Sequence, residues 1–253
     1  MRLRQVALIA HRIAPVAAAL ETVFNIKVAH RDPAVGVFGL ANVVMPVGGE
    51  FLEVLEPLRD DTAGGRYLTR RGGDAGYMVI LQDQESLDHR ARLAAKGVRV
   101  IAASGPDRYR FTHFHPADCA GVLLSIDSVV GEDWRDPLCD WPAAGPDWRD
   151  FTSGDSLGIP SVTIQSKDPQ AAADCWAKLL DRSSRREGSA FVISLEPGGI
   201  RFVAAVDADG TGVVAMEIKV VDPAATLARA ISAGISVVDG AVIIGGVAIS
   251  PVA

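Results

Sequence analysis

The feature that most constrains this chain is that it repeats itself. The segment RQVALIAHRIAPVAAALETVFN at 4–25 is echoed by IPSVTIQSKDPQAAADCWAKLLD at 159–181 in its apolar run, its proline and its helical stripe. VVMPVGGEFLEVLEP at 43–57 is echoed by FVISLEPGGIRFVAAV at 191–206, down to the paired glycines between two strand-like runs. AGYMVILQDQESLDHRARLAAKGVRVI at 75–101 is echoed by VVAMEIKVVDPAATLARAISAGISVV at 213–238. A unit that recurs in this way cannot bury its apolar face alone and must stack on its copies, so the repeat fixes the architecture.

Within one unit the order is read from periodicity. Arg4–Ala10 predicts a strand, and Pro15 stands where a helix begins whose stripe is Val16, Leu20, Val23 and Phe24, ending at Asn25. KVAHR, GVFGLANVVMPV and EFLEVLEPL follow as strands, separated by Asp-Pro and Gly-Gly turns. GGDAGYMVILQ at 72–82 restarts the order with Ala75, Tyr77, Val79 and Leu81 on one face, then a helix over 84–96 ending at Gly97. VRVIAA, YRFTHFHP and VLLSID complete the second unit. The expected fold class is α+β, four β-α-β-β-β modules forming curved, mostly antiparallel cup-shaped sheets with helices outside. Residues 1–127 form a first domain holding the site and 157–253 a second, degenerate one. Between them, 128–156 crowds Trp134, Trp141 and Trp148 among Pro, Gly and Asp, and reads as an ordered linker whose tryptophans cap an apolar surface or stack on an aromatic ligand.

Composition excludes several classes of function. A net charge of −6 with no Lys/Arg cluster argues against nucleic acid. No apolar run approaches the roughly 20 residues of a membrane span, and the start of the chain lacks a signal-peptide core. Cys119, Cys139 and Cys175 are odd in number and lack C-x-x-C spacing, which fits reduced thiols in a cytoplasmic protein. The expected partner is a small molecule, and the expected assembly a monomer or homodimer.

Four segments carry a resemblance to a known family: RQVALIAHRI at 4–13, FLEVLEPL at 51–58, GGDAGYMVILQ at 72–82 and FHPADCAGVLLSID at 114–127. They resemble the vicinal oxygen chelate superfamily, whose members include glyoxalase I, methylmalonyl-CoA epimerase, extradiol dioxygenases and bleomycin-resistance proteins. The resemblance implies a divalent metal in the cup, held by one side chain from each of four strands, which polarises substrate oxygens while a base moves a proton. Carried onto this chain, the four positions fall on Gln5, Glu53, Tyr77 and Ser125. A neutral phenol and a neutral hydroxyl do not hold a divalent ion at ordinary pH, so no metal or other cofactor is expected. Were a metal bound, Gln5, Glu53 and His113 would be its ligands. The corresponding positions of the second domain, Ser161, Val203, Ala215 and Ser250, offer no ligand set.

Glu53 shares an inward face with Phe51 and Leu55, and a carboxylate in an apolar cup gains basicity. The alternative is that it pairs with Arg71 or Arg110. Tyr77 would donate to a substrate oxyanion. His113 and His115 lie two apart on one strand. His113 is the candidate for function, beside the alternative of a hydrogen-bonded core histidine, and His115-Pro116 reads as structural. The expected catalytic residues are thus Glu53, Tyr77 and His113, and the expected substrate-binding residues Gln5, Ser125 and Arg71, the last in the basic turn Arg70-Arg71-Gly72-Gly73. His11, His30 and His89 read as surface residues. The expected function is a glyoxalase-like isomerase or lyase with a degenerate metal site, moving a proton next to a carbonyl. The alternative is a metal-free protein that binds or sequesters a small molecule, as bleomycin-resistance proteins do.

Overall fold

The computed structural model describes residues 1–105, 107–205 and 210–253. Two eight-stranded sheets hold the chain together. The first contains β1 (Arg2–Ile9), β2 (Leu40–Val47), β3 (Glu50–Pro57), β4 (Ala75–Gln82), β5 (Val100–Ala103), β6 (Tyr109–Arg110), β7 (Thr112–Phe114) and β8 (Leu123–Val129). The second contains β9 (Ser156–Ser166), β10 (Ser184–Glu187), β11 (Ala190–Ser194), β12 (Gly199–Ala204), β13 (Gly212–Val220), β14 (Val237–Val238), β15 (Ala241–Ile244) and β16 (Val247–Val252). Among the described residues five helices accompany them: α1 (Ile13–Phe24), α2 (Ala63–Arg71), α3 (Ser86–Ala95), α4 (Pro169–Leu180) and α5 (Pro223–Ser232).

The repeat read from sequence is visible in the strand pairing. In the first sheet β1 and β4 pair antiparallel at the centre, and each is flanked on its other side by a parallel strand, β3 or β8. The second sheet repeats this with β9 and β13 at the centre and β12 and β16 beside them. Each module thus leaves its first strand, crosses by a helix, and returns its last strand alongside the first. All remaining pairings are antiparallel.

Alternation along the strands splits the apolar residues between two cores. Val6, Leu8, Val79 and Leu81 of the first sheet and Val162, Ile164, Met216 and Ile218 of the second share one core with the buried stripes of α1 and α4. The two sheets therefore pack through the faces that carry the helices. They approach closely at Gly76, where a Cβ would lie 2.5 Å from the Val213 carbonyl oxygen. The opposite face of the first sheet is the cup, with Ala7, Ile9, Val44, Phe51, Leu55, Met78 and Ile80 in a second core. Helix starts are capped in two ways. Asp168 and Asp222, each before a proline, accept from the N–H groups of Ala171 and Ala225. For α1 the Glu56 carboxylate reaches across to accept from the Ile13 N–H at 2.7 Å.

Several local expectations are corrected. Tyr77 and Val79 do not share a face: the register of β4 against β1 shifts between Ala7 and Leu8, so Tyr77 and Met78 both lie with the cup while Val79 and Leu81 face the shared core. An extra residue in one strand breaks the two-residue period. KVAHR contributes one isolated bridge, His30 to Val44, and Pro33–Phe38 is a 3-10 turn ahead of β2. Arg70 and Arg71 end helix α2, which stops at Gly72 in the left-handed conformation. His89 is half-buried and lies 3.6 Å from Asp83, and the half-buried His30 ring sits where a Cβ on Gly145 would fall. No helix among the described residues is long and apolar enough to cross a membrane.

Candidate functional site

The cup of the first sheet encloses a cavity of about 390 Å³. Its polar wall is Gln5, Asn42 and Glu53; its aromatic wall is Tyr77, Tyr109, Phe111 and His113; aliphatic side chains such as Leu40, Leu55 and Ile80 fill the rest. Val37, Phe38 and Ile101 line it while remaining largely exposed, and so mark its mouth.

One end is closed by the segment 128–156, whose Trp141 and Trp148 pack on an arginine from β1. Arg4 is fully buried, stacked over the rings of Phe51 at 4.9 Å and Trp141 at 5.1 Å. Its guanidinium donates to the carbonyls of Gly49, of Pro137 at 3.1 Å and of Cys139 at 2.7 Å. Trp148 packs edge-on against Phe51 at 4.9 Å, and Tyr109 edge-on against Trp141 at 5.3 Å.

Glu53 is held by two amides. Gln5 Nε2 donates to its Oε2 at 2.8 Å and Asn42 Nδ2 to its Oε1 at 2.6 Å. Both amides have their orientation fixed by donors that cannot accept. The Trp141 indole N–H donates to Gln5 Oε1 at 2.8 Å, and the Asp32 backbone N–H donates to Asn42 Oδ1 at 2.8 Å. Each amide is therefore obliged to present its NH₂ to the carboxylate. Burial raises the Glu53 carboxyl above its ordinary range, the two amide donors pull it back, and the nearby Asp32 charge raises it again, leaving a net rise. The hydrogen bonds on its two oxygens come from the two amides.

The remaining expected residues divide. Tyr77 lines the cavity, packed edge-on against Tyr67 at 5.1 Å, and burial raises its hydroxyl so that it stays protonated. His113 lines the cavity between Phe111, at 4.8 Å, and Phe38, at 5.9 Å; burial lowers it to about 4, so it is a neutral imidazole at pH 7. His115 lies beyond the strand and accepts from the Ala117 N–H. Ser125 is not in the cavity wall. Its hydroxyl donates to Asp127, and Arg71 lies beside Gly212 where the two sheets meet. Asn42, Asp32, Tyr109 and Asp127 are additions that sequence reading missed. Tyr109 Oη donates to Asp127 Oδ2 at 2.7 Å, and burial lifts the Asp127 carboxyl to about 7. Ser125 and Asp127, two apart in VLLSID, gave a same-face signal. The Gly48-Gly49 hairpin gave another, since a two-residue turn sets Val44 opposite Glu53 and brings Asn42 to its diagonal.

No family model and no curated protein matches the chain. Among solved structures, a triple mutant of 4-hydroxymandelate synthase from Streptomyces coelicolor aligns with a TM-score of 0.66 at 18% identity, covering 92% of this chain and 75% of that one. The fold is that of the vicinal oxygen chelate superfamily. Shorter proteins align with about half of the chain. A variant of Streptomyces coelicolor methylmalonyl-CoA epimerase in complex with 2-nitronate-propionyl-CoA is 22% identical, covering 52% of this chain and 99% of that one, TM-score 0.47. The epimerase from Mycobacterium tuberculosis is 19% identical over 51% of this chain and 87% of that one, TM-score 0.45.

The metal that the vicinal oxygen chelate fold implies does not fit the residues in this cup. The Gln5 oxygen is turned to Trp141 and its NH₂ to Glu53, and each Glu53 oxygen already accepts an amide proton, so the two side chains are oriented toward each other and not toward a common ion. The Ser125 hydroxyl is turned to Asp127 and the Thr112 carbonyl. Among the described residues no group of three or more His, Cys, Asp or Glu side chains is placed to hold an ion. In the second sheet Ser161 donates to Glu217 at 2.7 Å, and Val203, Ala215 and Ser250 bring no ionisable group.

Proposed function

We propose that the protein acts on a small carbonyl compound held in this cavity, as an isomerase or lyase that moves a proton next to the carbonyl. The observation that carries this is the buried Glu53 carboxylate in a largely apolar chamber, with its basicity raised by burial. Glu53 takes the proton from the carbon beside the carbonyl, and the electron pair moves onto the carbonyl oxygen. The hydroxyl of Tyr77 and the N–H of the neutral His113 are the donors available in the wall for that oxygen. The proton then returns from Glu53 to the carbon skeleton on the side where Glu53 stands, or a neighbouring group departs with the electron pair while Glu53 keeps the proton. Gln5 and Asn42 hold the carboxylate, and Trp141 and Asp32 hold the amides, so the base is set in place before substrate arrives.

A second reading, a protein that binds and sequesters a small molecule, is favoured by the same two amides. Their donors stabilise the carboxylate and oppose the rise in its basicity. Hydrogen exchange separates the two. Phenylacetone incubated with the protein in D₂O should gain deuterium beside its carbonyl, and Glu53→Gln should slow this by about a hundredfold or more while binding persists. Exchange at an equal rate in Glu53→Gln would refute the role of Glu53. Binding without exchange in the native protein would leave sequestration as the function.

A further inference from the structure

The charges in the cavity wall define the class of ligand, an inference that rests on the proposed small-molecule site. Asp32 and Glu53 both line the cavity, linked through Asn42, which accepts from the Asp32 N–H and donates to Glu53. No lysine or arginine lines it among the described residues. Arg66 and Arg70 of α2, whose charges reach Tyr77, are otherwise engaged: Arg66 donates to the Asp61 carbonyl and Arg70 stacks over Tyr67 at 5.0 Å. The amides of Gln5 and Asn42 donate to Glu53, so an anionic group brought there would meet two carboxylates and no lysine or arginine among the lining residues. A cation would meet the reverse. Asp32 spends Oδ1 on the Ala34 N–H, and the wall adds the faces of Phe38, Tyr77, Tyr109 and Phe111, which attract positive charge. His113, neutral between Phe38 and Phe111, adds no opposing charge.

We infer that the cavity selects a ligand with an apolar, ring-sized body and a cationic nitrogen, the nitrogen lying at the Asp32–Glu53 wall. The substrate would then be an amine-bearing carbonyl compound, its ammonium beside Asp32 and its acidic C–H facing Glu53. An organic acid or an acyl thioester with a phosphorylated carrier is excluded by the same charges.

Calorimetric titration of the intact protein at low salt with three isosteres, phenethylamine, phenethyl alcohol and phenylacetate, tests this. The amine should bind at least about tenfold more tightly than the alcohol, and the carboxylate more weakly than either. Asp32→Asn keeps the Oδ1 that accepts from Ala34 and removes the charge, and should bring the amine-to-alcohol ratio down severalfold. Alcohol or carboxylate binding as tightly as the amine would overturn the inference while leaving a small-molecule site in place. A ratio unchanged in Asp32→Asn would remove Asp32 from it. Failure of all three to bind at millimolar concentration would overturn both the inference and the site on which it rests.

Discussion

Two tryptophans with nearly the same surroundings give a direct test of how Glu53 is held. Trp141 and Trp148 are both fully buried and both pack on Phe51, yet they differ at one atom. Trp141 Nε1 donates to Gln5 at 2.8 Å, whereas Trp148 Nε1 is buried without a hydrogen-bond partner. Replacing either by Phe removes a similar area, roughly 40–60 Å², which at about 25 cal/mol per Å² costs about 1–1.5 kcal/mol. At Trp141 the change also strands the Gln5 oxygen, adding about 1–3 kcal/mol. At Trp148 it removes a donor that burial already penalises, so the packing loss is offset by a gain of similar size. Trp141→Phe should therefore destabilise by about 2–4 kcal/mol and Trp148→Phe by about 1 kcal/mol or less, read as midpoints and slopes of urea unfolding. Trp141→Phe should also free the Gln5 amide to turn its oxygen toward Glu53, raising the carboxyl further, seen as a shifted titration of its ¹³C resonance. Equal losses for the two variants, within about 0.5 kcal/mol, together with an unmoved Glu53 titration, would refute the argument that the indole N–H fixes Gln5.

Three further outcomes follow from the same geometry. Burial lifts Asp127 to about 7, so the folded chain holds that proton more tightly than the unfolded one; the associated stability is fully present below about pH 4 and is lost as pH rises to about 7, on the order of a few kcal/mol. Asp127→Asn should flatten the pH dependence of unfolding in that window, and the part that remains should fall with Glu50→Gln, since Glu50 is raised to about 7 by the same cause. Gly76→Ala would set a Cβ 2.5 Å from the Val213 oxygen and 2.6 Å from its Cβ, forcing the two sheets apart; a loss of about 2 kcal/mol or more in thermal unfolding is expected, and none would mean that the sheets do not meet there. Incubation with Mn²⁺, Co²⁺, Ni²⁺ or Zn²⁺ followed by elemental analysis should leave well under one ion per chain, because Gln5 is turned to Trp141 and Glu53 and no group of three His, Cys, Asp or Glu side chains among the described residues is placed to hold an ion; about one tightly held ion would refute the amide-clamp geometry around Glu53.

The candidate site was legible in the sequence where it depends on one strand or one tight turn. Gln5, Glu53 and His113 each sit on one strand, and the cavity brings these three together with Tyr77. Ser125 was placed by the family resemblance and Arg71 by its basic turn; in the folded chain the Ser125 hydroxyl donates to Asp127 and Arg71 lies beside Gly212, and neither lines the cavity. The missed helix α2 explains part of this. Its sequence AGGRYLTRR has two glycines near its start, which weaken any helical signal, while Thr62 caps it with a hydrogen bond to the Gly65 N–H.

What the sequence determined by itself is the repeated β-α-β-β-β order and hence the fold, because apolar period, helix stops and hairpin glycines are local properties written several times over. The partners of Glu53 were decided by tertiary structure. Gln5 is held by a tryptophan 136 residues away, and Arg4 reaches 133 residues to Pro137. Tyr77 reaches the cup only because β4 carries an extra residue against β1. A hydrogen bond across such a separation leaves no periodic mark, since either end alone is only a polar residue in an apolar run; its geometry exists once the sheets have closed around it.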